Sequence, residues 1–145
     1  MRERTIASHF VRAALRGAER QGQDCTALLR QLNIQPALLD EPRARIAPEQ
    51  FARLMQLLWE SLDDEYMGFG RQRSKRGTFA MMCYAIIHCH SLEKALGRGA
   101  LFYSLFPEAP AISIQREGDW ARLSVDDSTI WDPDHFLVES LLVIW

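Results

Sequence analysis

The chain has 145 residues, 48% of them apolar, with 17 basic against 19 acidic side chains and a net charge of -2. That is enough chain for one domain with a real core, and too little positive charge for the whole of it to grip nucleic acid through phosphates. Three cysteines, Cys25, Cys83 and Cys89, make no disulfide framework and fit a reducing cytoplasm, while the apolar runs at 80–87 and 141–145 are far too short to span a bilayer. The start, Met1-Arg2-Glu3-Arg4, leads into charged helical sequence and carries no apolar signal core.

Residues 6–21 predict a first helix with Phe10, Val11, Ala14, Leu15 and Ala18 on one face and Gly22 as its stop. Arg12, Arg16 and Arg20 recur at four-residue steps on it, as a plain exposed face or as a backbone-phosphate contact beside a DNA-binding domain. Asp24 caps a short second helix carrying Leu28, Leu29 and Leu32, Asn33 ends it, and 36–40 add a single turn. Residues 28–39 have the outline of a helix-turn-helix. Pro36, Asp40 and Glu41 spoil the recognition helix, and the segment reads as packing helices.

The third helix has the clearest start: Pro48 at the first position, Glu49 and Gln50 in the first turn, and Ile46 and Phe51 spaced as a hydrophobic staple. Leu54, Met55, Leu58 and Leu62 continue its buried face, and Asp63-Asp64-Glu65 marks its exit. A short apolar segment with two glycines, Tyr66-Met67-Gly68-Phe69-Gly70, leads into a charged loop at 71–76. A helix from Gly77 or Thr78 to about His88 follows, then one from Ser91 as cap to about Phe106, closed by Pro107 and Pro110. Ile112-Ser113-Ile114 and Leu123-Ser124-Val125 alternate with period two around Glu117-Gly118-Asp119, which is hairpin chemistry, and such a hairpin is expected to belong to a larger sheet. In the last stretch Asp132 is the expected N-cap and Pro133 the first helical residue, and apolar residues run to Trp145 without a stop signal. The chain therefore reads as a piece of something longer. The predicted class is α+β in one truncated domain: an N-terminal helical bundle over 1–107, then a β-hairpin from a small sheet and a further helix over 111–145.

Asp63-Asp64 followed by Met67-Gly68-Phe69-Gly70, Gly77 followed by Phe79, Ser91-Leu92-Glu93-Lys94-Ala95-Leu96 and Tyr103 together resemble the N-terminal effector domain of AraC/XylS-type bacterial transcription regulators, in the branch labelled after arabinose binding. Leu28-Leu29, Leu32-Asn33-Ile34, Asp40, Arg45-Ile46 and Gln50-Phe51 are similar to that family's opening helices, so the likeness covers nearly the whole chain. It implies a ligand-sensing and dimerisation domain in the cytoplasm, with an unknown small-molecule effector, a second copy as partner, and DNA reached only through a helix-turn-helix part absent from this chain. No membrane, cofactor, metal or catalytic residue is expected. The alternative is a protein–protein interaction module without a small-molecule ligand.

Two groups of residues are effector-binding candidates. Arg71, Arg73, Lys75 and Arg76 place four cations in six residues, suited to an anion but equally to a solvated loop. Phe79, Met82, Tyr84, Tyr103 and Phe106 are able to line a cavity, although aromatic and Met residues at helical spacing are more often core. Cys83, His88, Cys89 and His90 fall in one helical segment, which suits a buried Cys83 and a frayed helix end better than a metal site.

Overall fold

The computed structural model describes residues 4–145; the charged start at Met1, Arg2 and Glu3 lies outside them. The order of elements is β1 (Ile6–Ala7), α1 (Ser8–Arg20), α2 (Cys25–Gln31), a 3-10 turn (Pro36–Asp40), β2 (Arg45–Ile46), α3 (Pro48–Leu62), α4 (Thr78–Ile86), α5 (Leu92–Tyr103), β3 (Ala111–Glu117), β4 (Trp120–Asp126) and α6 (Phe136–Ile144). This is the α+β class that the sequence predicts.

The first helix starts two residues later than its apolar pattern suggests. Ile6 and Ala7 are extended and pair antiparallel with Ile46 and Arg45. Ser8 then enters the helix buried, its N–H donating to the Ala44 carbonyl and its Oγ to that of Glu41. From there Val11, Ala14, Leu15 and Ala18 form the core face, while Phe10, expected on it, is exposed. Asp24 caps α2 by accepting from the Ala27 N–H at 3.1 Å, and Asn33 turns the chain at φ +54°. Pro48 opens α3, and the Gln50 carboxamide accepts from the Ala47 N–H and donates to the Leu32 carbonyl, joining this helix start to the end of α2. Leu54, Leu58 and Leu62 face the core; Met55 beside them is only half-buried.

The crossing of α1 with the glycine segment is a backbone contact. A Cβ on Gly17 would strike the Met67 carbonyl oxygen, and one on Gly68 would strike that of Gly17. Gly68 is also left-handed at φ +83°, so it meets both requirements that exclude a side chain. Phe69 follows, fully buried, stacked on Trp131 with ring centroids 6.5 Å apart and set 6.1 Å from Phe136. Its carbonyl accepts from Trp131 N–H at 2.8 Å, and Arg71 N–H donates to Thr129 at 2.9 Å. A short ladder thus ties the glycine segment to the approach to α6.

The hairpin registers Ile112 opposite Val125 and Ile114 opposite Leu123, with Gly118 at φ +63° in the turn. Its expected third strand is not found among the described residues. The half-buried face made by those apolar pairs is covered by helices α5 and α6, and helix packing does for a hairpin what further strands would. The last helix also departs from expectation. Residues 132–135 form a turn, His135 is left-handed at φ +56°, and the helix begins at Phe136, not at Pro133. Asp132 still caps it from a distance: its carboxylate accepts from Phe136 N–H at 2.9 Å and Val138 N–H at 3.0 Å.

Within the acidic pair the two carboxylates have unlike work. Asp63 is exposed and ends α3 in the left-handed region at φ +47°. Asp64 is 2% exposed and accepts from three backbone amides, those of Tyr66, Gly68 and Ser74, at 2.8–2.9 Å. Asp64→Ala strands those amides and should lower stability by about 3 kcal/mol or more. Asp63→Gly should leave stability within about 0.5 kcal/mol of the parent or raise it. Urea unfolding midpoints of the two variants check the contrast.

Candidate functional site

Glu65 extends what Asp64 begins. Its carboxylate accepts from Gly77 N–H at 2.8 Å and Phe79 N–H at 2.9 Å, and its own N–H donates to the Ser74 carbonyl at 2.6 Å. The start of α4 and the 71–76 loop are thereby fastened to the end of α3. Tyr66, Met67 and Phe79 arrive together on one side of that junction, and a cleft of about 710 Å³ opens there.

One wall of the cleft is the α3 stripe Phe51, Met55 and Trp59; the opposite wall is α6, from Phe136 to Trp145. Tyr66, Phe79 and Tyr103 close the side between them, and Ile6 and Phe10 stand at the edge toward α1. Trp145 makes an edge-on contact with Tyr103, ring centroids 5.9 Å apart. It seats against Gly99, where a Cβ would come within 2.8 Å of the indole. Among the described residues two carboxylates, Glu65 and Glu139, line the cleft and no Lys, Arg or His does. Glu65 is held by its amide donors; Glu139 is exposed on α6.

A second, smaller pocket of about 180 Å³ adjoins it. Gln72, Arg73, Ser74, Lys75 and Thr78 form one side, Phe106, Pro107 and Ala109 the other, and Tyr66 and Tyr103 line this pocket as well as the cleft. The two cavities therefore share a wall of two tyrosines and differ in sign: carboxylates in the large one, cations in the small one.

The candidate residues divide accordingly. Phe79 and Tyr103 line the cleft; Arg73, Lys75, Tyr103 and Phe106 line the small pocket. Arg71 pairs with Glu108 at 2.9 Å, Arg76 lies 4.0 Å from Glu60, and neither lines a cavity. Met82 is buried core near Gly99, and Tyr84, 71% exposed, lines neither cavity. Sequence reasoning missed Phe51, Met55, Trp59, Tyr66, Phe136 and Trp145. A signal was present on α3: Phe51, Met55 and Trp59 repeat every four residues alongside the core stripe Leu54, Leu58 and Leu62. A helix with two neighbouring apolar stripes has one more than a single packing contact needs.

The arginine stripe on α1 is engaged within the molecule. Arg12 donates to the Leu39 carbonyl, Arg16 pairs with Asp134, and Arg20 lies over the Trp131 ring, 5.1 Å from its centroid. The helix-turn-helix outline resolves into α2 and the 3-10 turn. Cys83 is half-buried where burial was expected; Cys89 is half-buried too, and His88 and His90 are exposed. Among the described residues no three His, Cys, Asp or Glu side chains gather as metal ligands would.

A family model described as the arabinose-binding domain of AraC transcription regulators, N-terminal, matches residues 22–145. The chain belongs to that family. Neither the curated proteins nor the solved structures offer a match. As a member of the arabinose-binding family the chain is a ligand-binding regulatory domain of a transcription regulator, which is not an enzyme class. In this member the acidic pair and the glycine motif are the framework that sets the cleft, with Asp64 and Gly68 inside the scaffold and Tyr66 and Met67 at the cavity surface.

Burial pushes the Tyr66 hydroxyl up to about 12, helped by the Asp64 and Glu65 charges and opposed by a hydrogen bond with Ser74. Burial likewise raises Tyr103. Burial, then the charges of Glu19 and Asp24, lift the Cys25 thiol from its ordinary 9.0 to about 11. In each case the unfolded chain ionises before the folded one, so the contribution of these three groups to stability is complete below pH 9 and is lost as pH rises from there toward 12. The thermal midpoint should follow that course. Cys25→Ala should flatten the limb that begins at pH 9, and Tyr66→Phe the limb that begins at pH 10.

Proposed function

We propose that this domain senses a small, largely apolar effector held in the cleft between α3 and α6, and that α6 carries the response. The observation behind this reading is the lining: aromatic and aliphatic side chains from six separate parts of the chain, with α6 supplying a whole wall. An effector acts by binding one arrangement of α6 better than another. Arabinose itself suits the cleft poorly. A sugar's hydroxyls need several convergent partners, whereas Glu65 is already bound to backbone amides and Ser140 donates to the Phe136 carbonyl.

The domain acts as a homodimer in this reading. Met81 and Tyr84 on α4, Ile87 just beyond it, and Leu101 on α5 are more than half exposed, as is Leu105 just beyond α5, an amount of uncovered apolar surface that a partner copy would bury. DNA contact belongs to another part of the regulator, in keeping with the net charge of -2 and the engaged arginines of α1. No described helix is long and apolar enough to cross a membrane, and the cytoplasm is the proposed location. The alternative, an interaction module that docks a protein through the same surfaces, draws on the exposure of Val143, 86%, at the end of α6.

Titration with N-phenyl-1-naphthylamine, an uncharged apolar fluorophore, distinguishes these readings. Saturable one-to-one binding is expected, weakened about tenfold or more, roughly 1.4 kcal/mol, by Met55→Trp, which fills the cleft. Binding absent from the parent, or unchanged in Met55→Trp, would favour the interaction module. Sedimentation should show a dimer whose dissociation constant rises about tenfold or more in Met81→Glu.

A further inference from the structure

The small pocket is built differently from the cleft and asks for a different ligand. Ser74 is fixed on three sides: its N–H donates to Asp64 at 2.8 Å, its carbonyl accepts from Glu65 N–H at 2.6 Å, and its hydroxyl lies 3.4 Å from the Glu65 carboxylate. Arg73 and Lys75 flank this anchored residue in sequence, and both line the pocket. Neither has an ion-pair partner among the described residues, although their neighbours Arg71 and Arg76 do. No acidic side chain lines the pocket; Glu108, between two of its residues, is held by Arg71. Arg73 and Lys75 are both exposed side chains lining one pocket that carries no counter-charge, and an anion in it is attracted to both.

The rest of the pocket describes the anion. Opposite the cations lie Phe106, Pro107 and Ala109, an apolar surface that a bare inorganic oxyanion would leave unused. Tyr66 and Tyr103 add aromatic wall and hydroxyl groups, and the volume of about 180 Å³ holds a few carbon atoms beyond a carboxyl group. We infer that this pocket binds a short organic carboxylate, its carboxyl between Arg73 and Lys75 and its carbon body against Phe106 and Pro107. The assignment goes beyond the cleft reading and does not depend on it, since the two cavities take ligands of opposite character and share only the Tyr66–Tyr103 wall.

The test is titration of the isotope-labelled chain with propionate, followed by amide chemical shifts. Propionamide serves as the uncharged match and inorganic phosphate as the competing anion. The expected result is a saturable shift confined to Tyr66 and residues 72–78 and 103–109, an affinity at least about tenfold weaker in the Arg73→Gln, Lys75→Gln double variant, no saturable response to propionamide, and weaker binding of phosphate than of propionate. No saturable shift with propionate, equal affinity in the double variant, or tighter binding of phosphate would overturn the assignment. Amide shifts of the double variant outside the loop report whether it is folded. Binding of N-phenyl-1-naphthylamine to the same variant reports on the cleft separately, so one reading can fail without the other.

Discussion

A carboxylate taken out of water must be met by donors, and the Asp64 carboxylate is met by the backbone amides of Tyr66, Gly68 and Ser74. Those three donors come from a stretch of chain that would otherwise have no reason to bend. Gathered round one side chain, the stretch turns twice through the left-handed region, at Met67 with φ +52° and at Gly68 with φ +83°. A methionine there is costly and persists only where its surroundings over-determine it. Here they do, because the next residue must lie against Gly17 and the one after it must enter the core. The crossing of α1, the seating of Phe69 and the ladder to 129–131 all follow from the same bend.

Both cavities are consequences of that arrangement. Glu65 follows Asp64 in sequence and is aimed at the start of α4, where it collects Gly77 and Phe79. Tyr66, next again, is left between the two cavities and lines both. Three consecutive residues thus serve as core anchor, helix cap and dividing wall. A change to this tripeptide acts on stability and on both sites together, whereas a change to Met55 or Arg73 reaches one cavity only.

The sequence shows the scaffold better than the site because the two leave different traces. Leu54, Leu58 and Leu62 announce the buried face of α3 by spacing alone, Asp24 and Ser91 announce caps by residue type, and the paired Ile and Val positions of the hairpin announce its register. A cleft between elements has no spacing of its own. Phe51, Tyr103 and Phe136 are far apart in the chain and meet only through the turn of the glycine segment and the docking of α6. The failures have the same origin. Ile6 and Ala7 match a helical pattern but are captured by Arg45 and Ile46, and Pro133 suits a first helical turn but sits in a separate turn while Asp132 caps the helix from four residues away. In both, a partner distant in sequence or a reversal of the backbone outweighs a sound local preference. The four cations of the 71–76 loop look equivalent as a string; Glu60 and Glu108 beside two of them make the difference, and neither acid is near in sequence.

The proposed role of α6 asks one helix to serve both fold and response. Its first turn is secured by the Asp132 carboxylate, by the Arg16–Asp134 pair just before it, and by Phe136 and Leu137 buried in the core. Its far end is secured differently, by one large side chain: Trp145 fits where Gly99 leaves room, against Tyr103. Between these anchors Glu139, Val143 and Ile144 border the cleft and remain largely open. An occupant of the cleft therefore contacts these open residues as well as the anchored Phe136, Leu137 and Trp145. The anchors differ in kind as well, several hydrogen bonds and a buried aromatic at the start against the packing of one indole on Gly99 and Tyr103 at the end. The weaker attachment is the one that adjoins Tyr103, which is also the wall of the small pocket. Tyr103 lines both cavities and meets Trp145 edge-on, so it is the one side chain that touches the two pockets and the residue beyond α6 together.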